Sequence, residues 1–393
     1  MASYAHPQHL SPAPPHLPDL PATPRQVSTP ALPAAERGAA SPLRHLGPNW
    51  YAAVMGTAIV ASAGAALPAP VPHAAAVAVW ALSALLLAVL LVARAGHWLR
   101  HRDQARAHLL DPAVAPFYGC LSMALLAVGG GTLTLGGGVL GERAALAVDV
   151  VLFSAGTAVG LLAAAAIPYL MVTRHKVDPG TASPVWLLPV VAPMVSAAQG
   201  PLLLPHVPAG QWREALLLGS YAMFGLSLLA TLLMLPLIFG RLVVHGPLPL
   251  ALTPTLFLVL GPLGQSTTAV NSLADVAPSA IGGSYAGAFE AFAVVYGVPV
   301  LGFALLWLAF ALALVVRAAR SGLRFGMTWW GFTFPVGTCV TAAAGLARHT
   351  GLTAYEWLAT ALYVFLLAAW ATATIGTAHG LAKGRLLTPQ PCA

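Results

Sequence analysis

The sequence predicts an all-α integral membrane protein of ten transmembrane helices. They form five tandem hairpins around a central pore, pseudo-fivefold, with the odd-numbered helices inside. Three observations predict this. Of 393 residues, 58% are hydrophobic and only 7% charged, with a mean hydropathy of +0.80, whereas soluble domains carry about 25% charged residues. Apolar runs of about 20 residues recur along the chain, each long enough to cross a hydrocarbon core of about 30 Å. Basic residues return after every second run, as expected of a chain that crosses a bilayer in pairs.

The first 48 residues differ from the rest. They hold eleven prolines scattered among His, Ser and Ala. Such a segment buries too little apolar surface to offset its ordering entropy, so 1–48 reads as a disordered Pro-rich cytoplasmic tail. Nothing in it resembles the charged n-region and apolar h-region of a signal peptide. A transmembrane domain is expected over 49–380, followed by a short cytoplasmic tail at 381–393. The apolar segments run 50–67, 73–93, 115–136, 146–171, 184–203, 214–239, 250–271, 287–316, 328–347 and 354–377. In lipid every backbone group needs an internal partner, so runs of this length are expected to span as helices. The third is weakened by Gly129, Gly130, Gly131, Gly136, Gly137 and Gly138.

With ten spans, all of the 18 Lys and Arg except Arg143, Arg213 and Arg348 fall on one side. The positive-inside rule puts that side, and both termini, in the cytoplasm of a multi-pass plasma-membrane protein. The net charge of +7 is therefore a topology signal, and no nucleic-acid partner is read from it. Basic connections recurring about every 70 residues suggest hairpins related by an axis along the membrane normal.

Helix-breaking residues favour the odd segments: Gly56 and Gly64, Pro116 and Gly119, Pro189 and Pro193, Pro254, Gly261 and Pro262, and Pro335. Membranes tolerate such residues where protein or water satisfies the freed carbonyls, which points to a bent inner ring. The same segments hold neutral polar groups, among them Ser62 and Thr341, and no ionisable residue clearly at mid-span. Candidate pore-lining residues are Gly56, Thr57, Gly119, Ser122, Met123, Pro193, Ser196, Gln199, Gly261, Pro262, Gln265, Pro335 and Thr338. A proton relay needs titratable groups at depth, so these walls suit a neutral conduit better than a tightly coupled pump. Close packing by small residues is the alternative at each glycine.

Other chemistry finds little support. Cys120, Cys339 and Cys392 are too scattered for a disulfide framework or thiolate metal site. His97 and His101, spaced i,i+4, are a single pair and read as a solvated interfacial stretch. No GxxxxGK[ST] loop is present. Trp50, Trp98, Trp186, Trp212 and Trp357 near span ends suit interfacial belts. No enzyme, cofactor or metal site is expected.

Five stretches resemble the tellurite-resistance/dicarboxylate transporter family, which includes plant slow-type anion channels and fungal malate and sulfite transporters. They are NWYAAVMGTAIV (49–60), PFYGCLSMALL (116–126), PVVAPMVSAAQGP (189–201), PTLFLVLGPLGQS (254–266) and WWGFTFPVGTCVTAA (329–343). The resemblance implies one pore per subunit, homo-trimers, and a phenylalanine from the ninth helix blocking the pore. By position in the Thr-Phe-Pro triplet that residue is Phe334, with Phe332 as the fallback. On its own residues Phe334 reads as a packing side chain; the resemblance makes it the gate, and a bulky ring in a narrow apolar neck excludes ions by dewetting. The partners implied are the lipid bilayer and small anions, such as C4-dicarboxylate, malate, sulfite, tellurite or inorganic anions. Passive, potential-driven efflux is the expected mode, with a proton-coupled secondary transporter or a non-transport membrane protein as alternatives.

Overall fold

The structure, a computed structural model, describes residues 42–387, and every regular element among them is helical. Residues 1–41 and 388–393 of the two expected tails lie outside the described residues. Each apolar segment coincides with a long helix: α1 Tyr51–Ala66, α2 His73–Arg100, α3 Tyr118–Leu135, α4 Glu142–Thr173, α5 Leu187–Leu203, α6 Gln211–His245, α7 Leu260–Ala280, α8 Ser284–Arg320, α9 Phe334–Thr350 and α10 Thr353–Ala382. Eight helical stretches, covering all of these but α1 and α7, are long and apolar enough to cross a membrane. α1 has only 16 residues, and α7 carries a polar stripe of Gln265, Thr268, Asn271 and Ser272.

Burial separates the helices into two shells. The most apolar stretches around α3, α5 and α9 are 78%, 89% and 94% buried, whereas those of the five even helices are only 22–28% buried. α1 is buried without interruption from Tyr51 to Ala61. The odd helices form a closed ring: α1 packs on α3, α3 on α5, α5 on α7, α7 on α9, and α9 back on α1. Each even helix covers one seam of that ring, α2 lying on α1 and α3, α4 on α3 and α5, and so on to α10 on α9 and α1. Side chains such as Val172, Leu233, Val295 and Ile375 are left exposed on the outer shell, as suits a lipid-facing surface.

Each odd helix is preceded by a 3₁₀ segment: Pro48–Trp50, Ala115–Phe117, Pro184–Trp186, Leu250–Val259 and Met327–Phe332. This repeat was not read in the sequence, and it changes the meaning of the prolines. Pro48, Pro116, Pro184 and Pro254 lie in these lead-ins, and Pro335 is in the first turn of α9. At Pro48, Pro116, Pro184 and Pro335 a missing N–H costs nothing, because the first N–H groups of a helix have no intrahelical partner. Most of these prolines start inner helices rather than bend them; the interior cases are Pro254 in its lead-in, Pro193 and Pro201 in α5, and Pro278 in α7.

Four further expectations change. Gly129, Gly130 and Gly131 do not interrupt α3 but admit close neighbours, because steps of 100° turn each to a different one: Asp149 and Leu152 of α4, Gln199 of α5, and Trp80 of α2. Residues 42–48, expected in the tail, are docked. The Leu46 carbonyl accepts from the Arg94 guanidinium, and the Leu43 carbonyl lies 2.7 Å from His97 Nδ1. His97 is therefore fully buried rather than solvated, and it stacks on His108 with ring centroids 5.5 Å apart. His108 belongs to the short connecting helix Arg102–Leu110. Trp50 is likewise buried, while Trp212 and Trp357 are exposed at the starts of α6 and α10.

Candidate functional site

The inner ring encloses two cavities that meet at one side chain. The larger, of about 370 Å³, is lined by the C-terminal halves of α1, α3 and α5, by the middle of α7, by Thr341 and Arg348 of α9, and by Phe334. We call it the vestibule. The smaller, of about 10 Å³, lies among the N-terminal ends and is lined by Met55, Met123, Leu187, Leu188, Val191, Leu258, Gly261, Phe334 and Pro335. A water needs about 10–15 Å³ of such space, so this apolar neck holds one water at most. Phe334, only 3% exposed, lines both spaces.

Local structure explains where that ring sits. The 3₁₀ segment Met327–Phe332 ends in a tight turn at Thr333, whose hydroxyl donates to the Trp330 carbonyl at 2.7 Å. Phe334 then opens α9. The turn fits against α1 because Gly56 has no side chain; a Cβ there would strike Thr333 and Trp330. One turn on, Gly337 lets Ile59 of α1 approach α9 in the same way.

The expected lining residues divide into two groups. Met123, Gly261 and Pro335 line the neck, and Gln199 and Gln265 line the vestibule. The others face neighbouring helices. Thr57 donates to Ala53 O and accepts from Trp370 of α10. Ser122 donates to Gly156 O of α4, and Ser196 accepts from Thr157 of the same helix. Gly119 abuts the Leu188 backbone of α5, and Pro193 is buried inside that helix. Pro262 lines a separate apolar space with Tyr296 and Pro299 of α8. Thr338 donates to Pro335 O between α9 and α7. Phe332, the fallback gate, packs edge-on against Phe257 with ring centroids 4.7 Å apart.

Sequence reading missed Thr134, Thr268, Asn271, Ser272 and Arg348, all of which line the vestibule. The available signal was the spacing on α7, where 265, 268 and 272 share one face at i, i+3 and i+7. Arg348, placed by sequence in an outer connection, stands at the rim, 14 residues or about 21 Å of helix beyond Phe334. It pairs with Asp275 at 3.0 Å, and His349 approaches the other oxygen of the same carboxylate at 3.0 Å. A polar vestibule thus narrows onto an apolar neck, with the Arg348–Asp275 ion pair at its wider mouth.

Most of the chain is similar in sequence to known transporters. An uncharacterized transporter of Methanocaldococcus jannaschii is 26% identical over 352 residues, 88% of this chain and 96% of the relative. A sulfite efflux pump of Trichophyton rubrum is 28% identical over 339 residues, 82% of this chain and 87% of the relative. That of Arthroderma benhamiae is 27% identical over the same length. The voltage-dependent anion channel family model matches residues 45–378, from the docked segment before α1 almost to the end of α10. That match, which spans all ten long helices almost end to end, makes this multi-pass membrane chain a member of the voltage-dependent anion channel family.

Proposed function

We propose that the chain exports small anions passively across the plasma membrane, through the axis of the inner ring, with Phe334 as the gate. On this reading all ten helices span the bilayer as five pseudo-symmetric hairpins. Both termini are cytoplasmic, and subunits assemble as homo-trimers with one conduit each. The single observation that supports the gate is that Phe334 borders both the vestibule and the neck. An apolar constriction too small to hydrate an ion blocks it until the ring swings aside. Sulfite, the cargo named for the fungal relatives, is among the anions proposed. The membrane potential supplies the drive, about 2.3 kcal/mol per charge per 100 mV. In planar bilayers or liposomes Phe334→Ala raises anion conductance at least several-fold; an unchanged current removes the gate.

Proton-coupled secondary transport is the second reading, and Asp149 is the observation that favours it. This carboxylate is buried on α4 against Gly129, next to the vestibule residue Gly130, and buried ionisable groups in membranes commonly serve proton relays. If coupling operates, an imposed pH gradient drives anion uptake against its own gradient, and Asp149→Asn abolishes that response. Flux that ignores the pH gradient leaves the passive conduit standing.

A further inference from the structure

Outside the inner ring, a groove of about 450 Å³ runs between the last turns of α6 and the connection 174–183 that leads from α4 towards α5. Its walls are mostly apolar: Val177 and Pro179 of the connection, Trp186 of the α5 lead-in, and Leu237 and Val244 of α6. Leu237, Val243 and Val244 are exposed, as is Val172 near the end of α4, so this face of the molecule meets lipid. Gly240 keeps the groove open. A Cβ there would meet no atom within 4 Å, although a glycine inside a helix is otherwise a poor choice.

A cation is fixed in this apolar setting. The Arg241 guanidinium donates through Nε to the Gly180 carbonyl at 2.9 Å and through Nη1 to the Gly246 carbonyl at 2.6 Å. Both partners are neutral, and among the described residues no carboxylate pairs with it. Asp178, the acid of the connection, accepts from Gly180 N at 2.7 Å instead. The charge of Arg241 is therefore held in place without being neutralised, and its Nη2 makes no hydrogen bond among the described residues. His245 lines the same groove, and Arg174 and Lys176 stand exposed in the connection.

An anchored, planar guanidinium matches the oxygens of a phosphate group, and apolar walls beside it suit an acyl chain rather than a hydrated ion. We propose that the groove is a binding site for an anionic phospholipid, with the headgroup phosphate on Arg241 and one acyl chain along Trp186, Leu237 and Val244. Arg174 and Lys176 add to the positive field over the headgroup, as basic residues at a membrane edge do for anionic lipids. A soluble phosphate would use the guanidinium and leave the apolar walls uncovered. The groove shares no lining residue with the vestibule or the neck, so the lipid site stands whether or not the chain conducts.

The test is native mass spectrometry of the full chain, purified in detergent and incubated with phosphatidylglycerol or with phosphatidylcholine of the same acyl chains. Wild type is expected to keep phosphatidylglycerol through detergent washing and to retain phosphatidylcholine about fivefold less. Gly240→Leu fills the groove and leaves the Arg241 bonds in place, so it is expected to lose most of the bound phosphatidylglycerol. Gly225→Leu, equally unobstructed on the same helix but outside the groove, is expected to keep it. Arg241→Gln is expected to hold both lipids alike; should it fail to assemble with its two carbonyls unpaired, Gly240→Leu still decides. Excess inorganic phosphate is expected to leave the lipid bound, and full displacement would overturn the site by assigning Arg241 to a soluble anion. Unchanged retention in Gly240→Leu, or equal retention of the two lipids by wild type, overturns it as well. A shift in oligomer mass in Gly240→Leu with no lipid lost gives the groove to a second copy of the chain, which also overturns the lipid site.

Discussion

Gly56 carries more of the candidate site than its size suggests. It lines neither cavity, yet it is the space into which Thr333 and Trp330 fit, and that turn delivers Phe334 to the axis. Gly56→Val is expected to lower thermal stability in detergent by about 1–3 kcal/mol and to loosen the block, giving a leak smaller than that of Phe334→Ala. A stable, silent Gly56→Val would separate the turn from the gate. His108 acts by charge. Burial, and secondarily the Arg94 guanidinium, push its pKa from 6.5 down to about 4. The unfolded chain therefore binds the proton more readily than the folded one between about pH 6.5 and 4, and stability falls as pH drops through that window and is unaffected above it. His108→Phe, which keeps a ring against His97, is expected to flatten the pH dependence of the melting temperature between neutral pH and about pH 5. At this scale the sequence was only partly legible. Gln199 and Gln265, picked by type and position, border the vestibule, and Phe334, picked from the family resemblance, borders both spaces, whereas Thr57, Ser122 and Ser196 turn to neighbouring helices. A hydroxyl in a membrane helix binds a nearby carbonyl on any face, so its presence does not reveal which way it points.

The five lead-ins do for helices what the glycines do for residues. They bring all the inner helix N-termini to one end of the ring, and none of those helices has an acidic residue in its first turn. The even helices α4, α6 and α10, which start at the other end, carry Glu142, Glu214 and Glu356 there. Each helix N-terminus is worth about half a positive charge, and the buried Arg94 guanidinium, bonded to the Leu46 carbonyl before α1 and to Tyr118 at the start of α3, adds to the positive potential at this end. Asn49→Asp, in the first lead-in, is expected to reduce anion conductance about two- to fivefold at low salt and hardly at all at high salt, as read by single-channel or flux measurements. An equal loss at both ionic strengths would point to disrupted packing instead. Helix positions were legible from apolar run length. The 3₁₀ lead-ins were not, because Leu250–Val259 is as apolar as the helix it precedes; Pro254 inside it was the one visible sign of a break.

For the molecule as a whole, odd–even alternation was legible because two forces write it into composition. Lipid demands apolar surface on the outer shell, and helix-on-helix approach demands small residues on the inner one. What composition does not encode is which neighbour each face meets, since helices buried all round have no preferred side. The ring closes between the first and last hairpins. Tyr363 OH of α10 donates to Val60 O at 3.2 Å, and Trp370 Nε1 to Thr57 Oγ1 at 3.2 Å, across 303 and 313 residues of chain. Biogenesis inherits a timing constraint from that seam. During synthesis α1 must wait in the bilayer with one flank uncovered until the final hairpin leaves the ribosome, so a transcript truncated after α8 would release an open, leak-prone crescent, a natural target for membrane quality control.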